Sequence, residues 1–178
     1  MKKLEFELVT TRGGDKGESF LYSGEKKLKF DKYFNTVGDL DELNSLLGIV
    51  RNLNLKHNHI PEIQQNILNL SSQVATNPKS ELYSTFTLIE EKDVDKLEKW
   101  QNKLMKKADI PQKFILPGEK KDYTAHIDVA RSVCRRCERN IVELIREYVR
   151  YDLHECQIYL NRLSDYLFIL ARFEDTIK

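Results

Sequence analysis

The sequence predicts an all-α, five-helix up-and-down bundle with a short N-terminal arm. Three observations point to it: apolar residues recur at helical spacing over five stretches, glycine (7) and proline (4) are scarce, and 32% of residues are charged, enough to coat outward faces. No repeat or low-complexity linker divides the chain, so residues 1–178 read as one domain with length enough for a core.

The elements follow in order. Residues 4–11 alternate and lean toward β, forming the arm. Residues 11–19, TRGGDKGES, hold three glycines with Arg12 and Lys16, a flexible turn whose N–H groups can face an anion. The spacing is neither that of a P-loop nor that of a dinucleotide fingerprint, and a plain connector reads equally well. Residues 23–29, SGEKKLK, form a second polar turn. The first helix is expected to open at Asp39 or Asp41, with Leu40, Leu43, Leu46, Leu47 and Val50 inward and its acids at the dipole-positive end. A polar loop at 52–59 leads to a second helix over 61–75, opened by Pro61 and packed through Ile63, Ile67, Leu70 and Val74. Residues 77–87 connect to a third helix over 89–107, whose stripe is Leu88, Val94, Leu97, Trp100 and Leu104. The apolar run 113–118 reads as a loop that Phe114 and Leu116 pin to the core. Helices over 123–148 and 153–174 complete the bundle.

Composition narrows the function. A net charge of +1 is not that of a generally basic, nucleic-acid-binding surface. The N-terminus has the pattern of neither a signal nor a transit peptide, and no apolar run reaches membrane-spanning length. The expectation is a cytoplasmic protein without membrane or nucleic-acid partners. Cys134 and Cys137 have C-x-x-C spacing without a second pair, and the four histidines are not paired one turn apart. Buried reduced thiols and no metal cage are expected.

The densest chemistry lies at 130–139, ARSVCRRCER. Arg131, Arg135 and Arg139 are four apart and form a guanidinium ridge on a helix, with Arg136 beside it; Glu138, three residues after Arg135, is placed to hold that fork. Guanidinium groups suit phosphate oxygens, although a solvated, ion-paired face explains the same spacing. In the last helix Asn161 and Asp165 are one turn apart among apolar residues, and such a polar group requires a partner or a ligand.

Five motifs, TRGGDKG, VGDLDELNS, FILPG, VARSVCRRCER and YLNRLSDYLF, stand in this order over nearly the whole chain. Together they resemble the ATP:cob(I)alamin adenosyltransferases of the propanediol-utilisation (PduO-like) type. The resemblance implies a ferritin-like bundle assembled as a homotrimer with active sites between subunits. It implies transfer of the 5′-deoxyadenosyl group of ATP to cob(I)alamin, releasing triphosphate, with Mg²⁺ on the phosphates. It assigns ATP binding to Thr11, Arg12, Gly13, Gly14, Ser19, Lys29, Arg135, Arg136, Glu138, Arg139 and Asn161. Asp41 would pair with Arg131 across the subunit interface, and Phe114 would close the lower face of the corrin. A reductase and an adenosylcobalamin-dependent mutase are the implied partners. The turn after Phe114 reads Pro-Gly-Glu where the family often has Pro-Gly-Gly, and Tyr33 and Asn35 stand where an arginine and a small residue are common. A nucleotide-binding regulatory or cofactor-handing protein on the same bundle is the alternative from another class. A di-metal bundle requires Glu-x-x-His motifs, which the sequence lacks.

Overall fold

A computed structural model describes residues 5–53, 55 and 59–177. Five long helices carry it: α2 (Lys32–Arg51), α3 (Ile60–Val74), α4 (Glu91–Met105), α5 (Asp122–Glu147) and α6 (His154–Thr176). Ahead of them lie a single turn, α1 (Phe6–Val9), and an antiparallel hairpin of β1 (Glu18–Phe20) and β2 (Lys26–Leu28). The buried positions on α2 are 36, 40, 43, 47 and 50, and on α3 they include 60, 63, 67, 70 and 74. Those steps of three and four lay one apolar seam along each helix. On α5 the inner row includes Ile127, Ala130, Cys134, Cys137, Ile141 and Leu144. Each fully buried leucine or isoleucine contributes about 1.5–3 kcal/mol of transfer free energy.

The helices pack as a bundle in which α5 is central. It lies against both α2 and α6, α3 packs on α2, and α4 packs on α6. Helix α3 also reaches α6 through Asn66 and Tyr159, and α4 through Glu62 and Lys96. Small side chains permit the close approach. The buried thiols of Cys134 and Cys137 donate to the carbonyls of Leu160 on α6 and Asp39 on α2, both at 3.2 Å. All three cysteines are free and buried, as expected for packed thiols. The links 75–90 and 106–121 are longer than short bundle loops, which is how α4 reaches α6. The first contains a 3₁₀ turn, Glu81–Thr85.

Three expectations about elements need correction. The arm, as far as it is described, is one helical turn with Phe6, Leu8 and Val9 exposed, because alternation makes a strand only where another strand pairs with it. Residue 4 lies outside the described residues, as do 54 and 56–58 of the 52–59 loop. The first long helix starts at Lys32, not at Asp39 or Asp41. Asp31 caps it by accepting from Tyr33 N at 3.0 Å, so Asp39, Asp41 and Glu42 lie mid-helix, away from the dipole-positive end. Finally, Phe114 and Leu116 do not pin their loop: both face solvent, Phe114 completely.

Candidate active site

The glycine-rich segment is built onto the hairpin. Ser19 pairs with Lys27 in the ladder, and Lys29 N donates to Gly17 O at 2.9 Å, closing the hairpin's open end. Gly17 takes φ +78°, and Arg12 holds the left-handed value of +56°, strained for a residue with a Cβ. Gly13 N donates to the Thr11 hydroxyl at 3.4 Å. The Lys29 side chain lies across Gly14 so closely that a Cβ there would stand 2.5 Å from its Nζ. Thr11, Arg12, Gly13, Gly14, Ser19 and Lys29 are thus gathered into one exposed cradle with two cations. The hairpin tip is anchored separately. Tyr22 N donates to Ala75 O, and Asn77 donates to Glu25 and Ser23, each at 2.8 Å. The Glu25 carboxyl is held below its ordinary range by the Ser23 and Asn77 hydrogen bonds.

The arginine-rich stretch divides into groups with different duties. Arg135 and Arg139 are exposed and have no carboxylate partner among the described residues; Arg139 Nη1 donates to the Arg135 carbonyl at 3.1 Å. Arg136 turns toward α2, its Nε 3.2 Å from Asp39 and its Nη2 against Glu42. Burial works against its charge, but those two carboxylates outweigh burial and raise its pKa. Arg136 therefore ties α5 to α2, and it shares with Arg139 the lining of a hollow on the outer side of α5. Arg131 Nε lies 3.4 Å from Asp128.

Glu138 does not hold Arg135. It accepts from Asn161 Nδ2 at 2.9 Å, while Asn161 Oδ1 accepts from Arg162 at 2.6 Å. Arg162 in turn pairs with Glu98 at 2.7 Å. Glu138 and Asn161 are thus brought together by the packing of α5 on α6. The partner that a polar group at Asn161 demanded is Glu138, and the half-buried amide is presented in a fixed orientation. Asp165 is exposed.

No hydrogen bond or ion pair among the described residues joins Asp41, Arg131 and Phe114 to one another. Asp41 is exposed and makes no hydrogen bond or ion pair among the described residues. Phe114 projects from the 106–121 link, which turns back through Pro117-Gly118, with Gly118 at φ +72° and Glu119 N donating to Leu116 O at 3.3 Å. Ile115, next to it, points inward to a cavity of about 420 Å³ shared with Pro111, Arg172 and Asp175. Along the outer face of α5, a hollow of about 340 Å³ runs between Pro117, Val129, Ser132 and Arg139. No hydrogen bond or ion pair among the described residues joins the glycine-rich cradle to Arg135 or Arg139.

A cavity of about 490 Å³ between the hairpin tip and the α5–α6 link is basic but is a poor anion site. Its Lys26 pairs with Glu18 and its Lys27 with Asp31. Its Arg150 donates to the last carbonyls of α3, Gln73 O at 2.7 Å and Val74 O at 3.2 Å, and to Asp152. The C-termini of α3 and α5 both end there, and carbonyl ends repel anions.

The sequence model of the cobalamin adenosyltransferase family matches residues 9–174. The chain belongs to that family. The corrinoid adenosyltransferase MMAB of Mus musculus is 36% identical over 172 residues, covering 93% of this chain and 71% of the mouse protein. A corrinoid adenosyltransferase of Citrobacter freundii is 33% identical, with 94% of this chain and 95% of that one covered. The fold is that of a PduO-type ATP:corrinoid adenosyltransferase from Lactobacillus reuteri, solved as a phenylalanine-to-histidine variant complexed with cobalamin and ATP. That structure superposes with a TM-score of 0.85 at 32% identity, covering 94% of this chain and 90% of its own. An arginine-to-lysine variant complexed with ATP superposes with a TM-score of 0.83 at 34% identity, covering 94% of this chain and 93% of its own. Within this adenosyltransferase chain, Asp128, Arg162 and Arg172 escaped the reading of the sequence. Asp128 left a signal in its position one helical turn before Arg131; Arg172 sits in an apolar run and left none.

Proposed function

We propose that this chain transfers the 5′-deoxyadenosyl group of ATP to cob(I)alamin, giving adenosylcobalamin and triphosphate. The observation that carries the reading is the division of labour around α5. Among the described residues Arg135 and Arg139 have no carboxylate partner, Glu138 fixes Asn161, and a cradle of Thr11, Arg12, Gly13, Gly14, Ser19 and Lys29 stands ready for phosphate. The chemistry needs little else from the protein. Cob(I)alamin is the nucleophile: its cobalt pair forms the Co–C bond to C5′ as the C5′–O bond breaks. The triphosphate leaves with that bond's electrons, and cobalt passes formally from Co(I) to Co(III). No protein base is required. The work left is to align C5′ with cobalt and to stabilise charge on the leaving group, tasks for guanidinium, ammonium and backbone N–H groups.

Mg²⁺ enters on the phosphates. Among the described residues no group of three His, Cys, Asp or Glu is arranged to hold a metal, and Mg²⁺ takes its ligands readily from phosphate oxygens and water. The active site is completed by a second copy in a homotrimer. Among the described residues no hydrogen bond or ion pair joins the cradle to the ridge, and Asp41 is exposed with no such partner, open to receive Arg131 of a neighbour. Phe114, at 105% relative exposure, is the apolar surface that such a cleft and a corrin would cover, blocking the lower axial position and making Co(II) easier to reduce. A reductase supplies the electron and a mutase takes the product, all in the cytoplasm. No helix among the described residues is long and apolar enough to cross a membrane.

The test is anaerobic. Purified protein, Mg-ATP and chemically prepared cob(I)alamin are followed by the visible spectrum as the Co–C bond forms. ATP-dependent conversion is expected; ATP binding without conversion would overturn the reading in favour of a nucleotide-binding module. Phe114→Ala should slow turnover from Co(II) far more than turnover from supplied Co(I), and equal losses would remove its proposed role.

A further inference from the structure

Asp128 lies on α5 one turn before Arg131 and is 3% exposed. A buried carboxylate requires partners for both oxygens. Its Oδ2 accepts from Arg172 Nη2 on α6 at 2.8 Å, and both side chains of that pair are almost wholly buried, at 4%. Its Oδ1 accepts from Arg131 Nε at 3.4 Å, and Arg131 is only partly buried, at 27%. Arg172 is itself fixed from the other side, with Nε 2.9 Å from Asp175, whose carboxylate also accepts from the Thr124 hydroxyl at 2.9 Å. Arg172 and Asp175 form part of the wall of the cavity into which Ile115 points, directly behind Phe114 in the chain. One buried carboxylate thus stands between the arginine that reaches the surface and the arginine beneath the Phe114 segment.

An arginine held at one nitrogen keeps its other nitrogens for a second acceptor, and its planar fork is aimed by the first bond. We propose that Asp128 is a positioning residue for adenosyl transfer: anchored by Arg172, it sets the direction in which Arg131 presents its guanidinium to Asp41 of a neighbouring copy. The inference rests on the adenosyl-transfer reading and adds to it a residue that touches neither ATP nor corrin. Geometry at the subunit cleft and packing behind Phe114 then share one buried carboxylate, so the ridge and the corrin-side segment move as a unit.

The experiment is a double-mutant cycle of Asp128→Asn and Asp41→Asn, read in steady-state turnover. Asparagine keeps the size and one acceptor for Arg172 but removes the charge that holds Arg131. D128N should lower kcat about tenfold while leaving the KM for ATP within about twofold. In the D41N background it should cost less than about twofold more, because both residues act through Arg131. Additive losses, an unchanged kcat, or a loss that falls on the KM for ATP would overturn the proposal. A second readout needs no variant at Asp128. In the D41N chain, where no neighbouring carboxylate contributes, the Arg131 Nε–H resonance should exchange with water more slowly than that of Arg135; equal exchange overturns the proposal. A wild type that makes no adenosylcobalamin would sink the adenosyl-transfer reading itself, and the proposal with it. An active wild type with an unaffected D128N would sink the proposal alone.

Discussion

Adjacent arginines on α5 should have opposite consequences when removed. Arg136 is 40% exposed and bridges Asp39, at 25%, and Glu42, at 51%, so much of its Coulomb energy is screened. Two partly exposed ion pairs, with some loss of packing by the stem, amount to about 1–2 kcal/mol. For a domain of this size each kcal/mol moves Tm by about 2–4 °C, so Arg136→Ala should melt several degrees early. Arg135 has no carboxylate to lose, and its truncation should leave Tm within about 1 °C. Its loss should fall on the reaction instead. A charge-assisted contact to phosphate is worth about 1.5–3 kcal/mol, and the upper end corresponds to about a hundredfold in kcat/KM for ATP. Calorimetry and the cob(I)alamin assay on both variants decide the matter. Equal melting losses, or an Arg135→Ala enzyme with full kcat/KM, would refute the division of duties between the two arginines.

Three further outcomes are expected. Gly14→Ala should fold normally but push the Lys29 head aside, since a Cβ would lie 2.5 Å from its Nζ; the KM for ATP should rise several-fold with Tm unchanged. Val149 holds the left-handed φ of +57° after α5, where Tyr148 N and Arg150 N both donate to Leu144 O, and it is 64% exposed. Val149→Gly should relieve that strain for little lost packing, gaining about 1 kcal/mol and about 2–4 °C in Tm. The thiols should be inert. Burial pushes Cys137 up to about 12, with Asp39 adding to the effect, and burial first and Cys137 next raise Cys134 well above its ordinary value. Iodoacetamide at neutral pH should label the native protein negligibly and all three cysteines once it is unfolded. Because the folded pKa lies above the unfolded one, the unfolded chain releases these protons first. The contribution of Cys137 is therefore full below about pH 8.5 and declines from there toward about 12, by about 1.4 kcal/mol per pH unit, which urea titrations across that range will show.

The long helices were legible because their seams repeat over many turns: 60, 63, 67, 70 and 74 on α3 admit no other period. The start of α2 was not. Its first turns carry Tyr33, Phe34 and Val37, which are only partly buried, so the strong leucine pattern at Leu40 masked the cap at Asp31. The hairpin escaped because each strand is three residues long and β2 is mostly lysine, too short for alternation to register. Phe114 was misread for a physical reason. An apolar residue is expected in its own core, and nothing local says that the chain leaves it in solvent, where the proposed corrin and neighbouring copy would cover it. On the site, the four-residue spacing of Arg131, Arg135 and Arg139 identified the ridge. The contact of Glu138 with Asn161 depends on how α5 meets α6, which no spacing within one helix reveals.

The central place of α5 has a consequence for how such a protein diversifies. Its inner face includes small, fully buried residues, so a bulkier side chain at Cys134 would wedge α5 from α6 and one at Cys137 would wedge it from α2. The elements that carry the cradle and Phe114 are surface segments with few backbone bonds to the bundle among the described residues. The hairpin is tied by Tyr22 N to Ala75 O, and the backbone bonds around Phe114, from Lys113 N to Pro111 O and from Glu119 N to Leu116 O, lie within its own link. Selection acting on substrate preference thus meets stiff resistance along the helix and little at its flanks. Descendants of this chain should vary in what they grip while keeping the post against which they grip it.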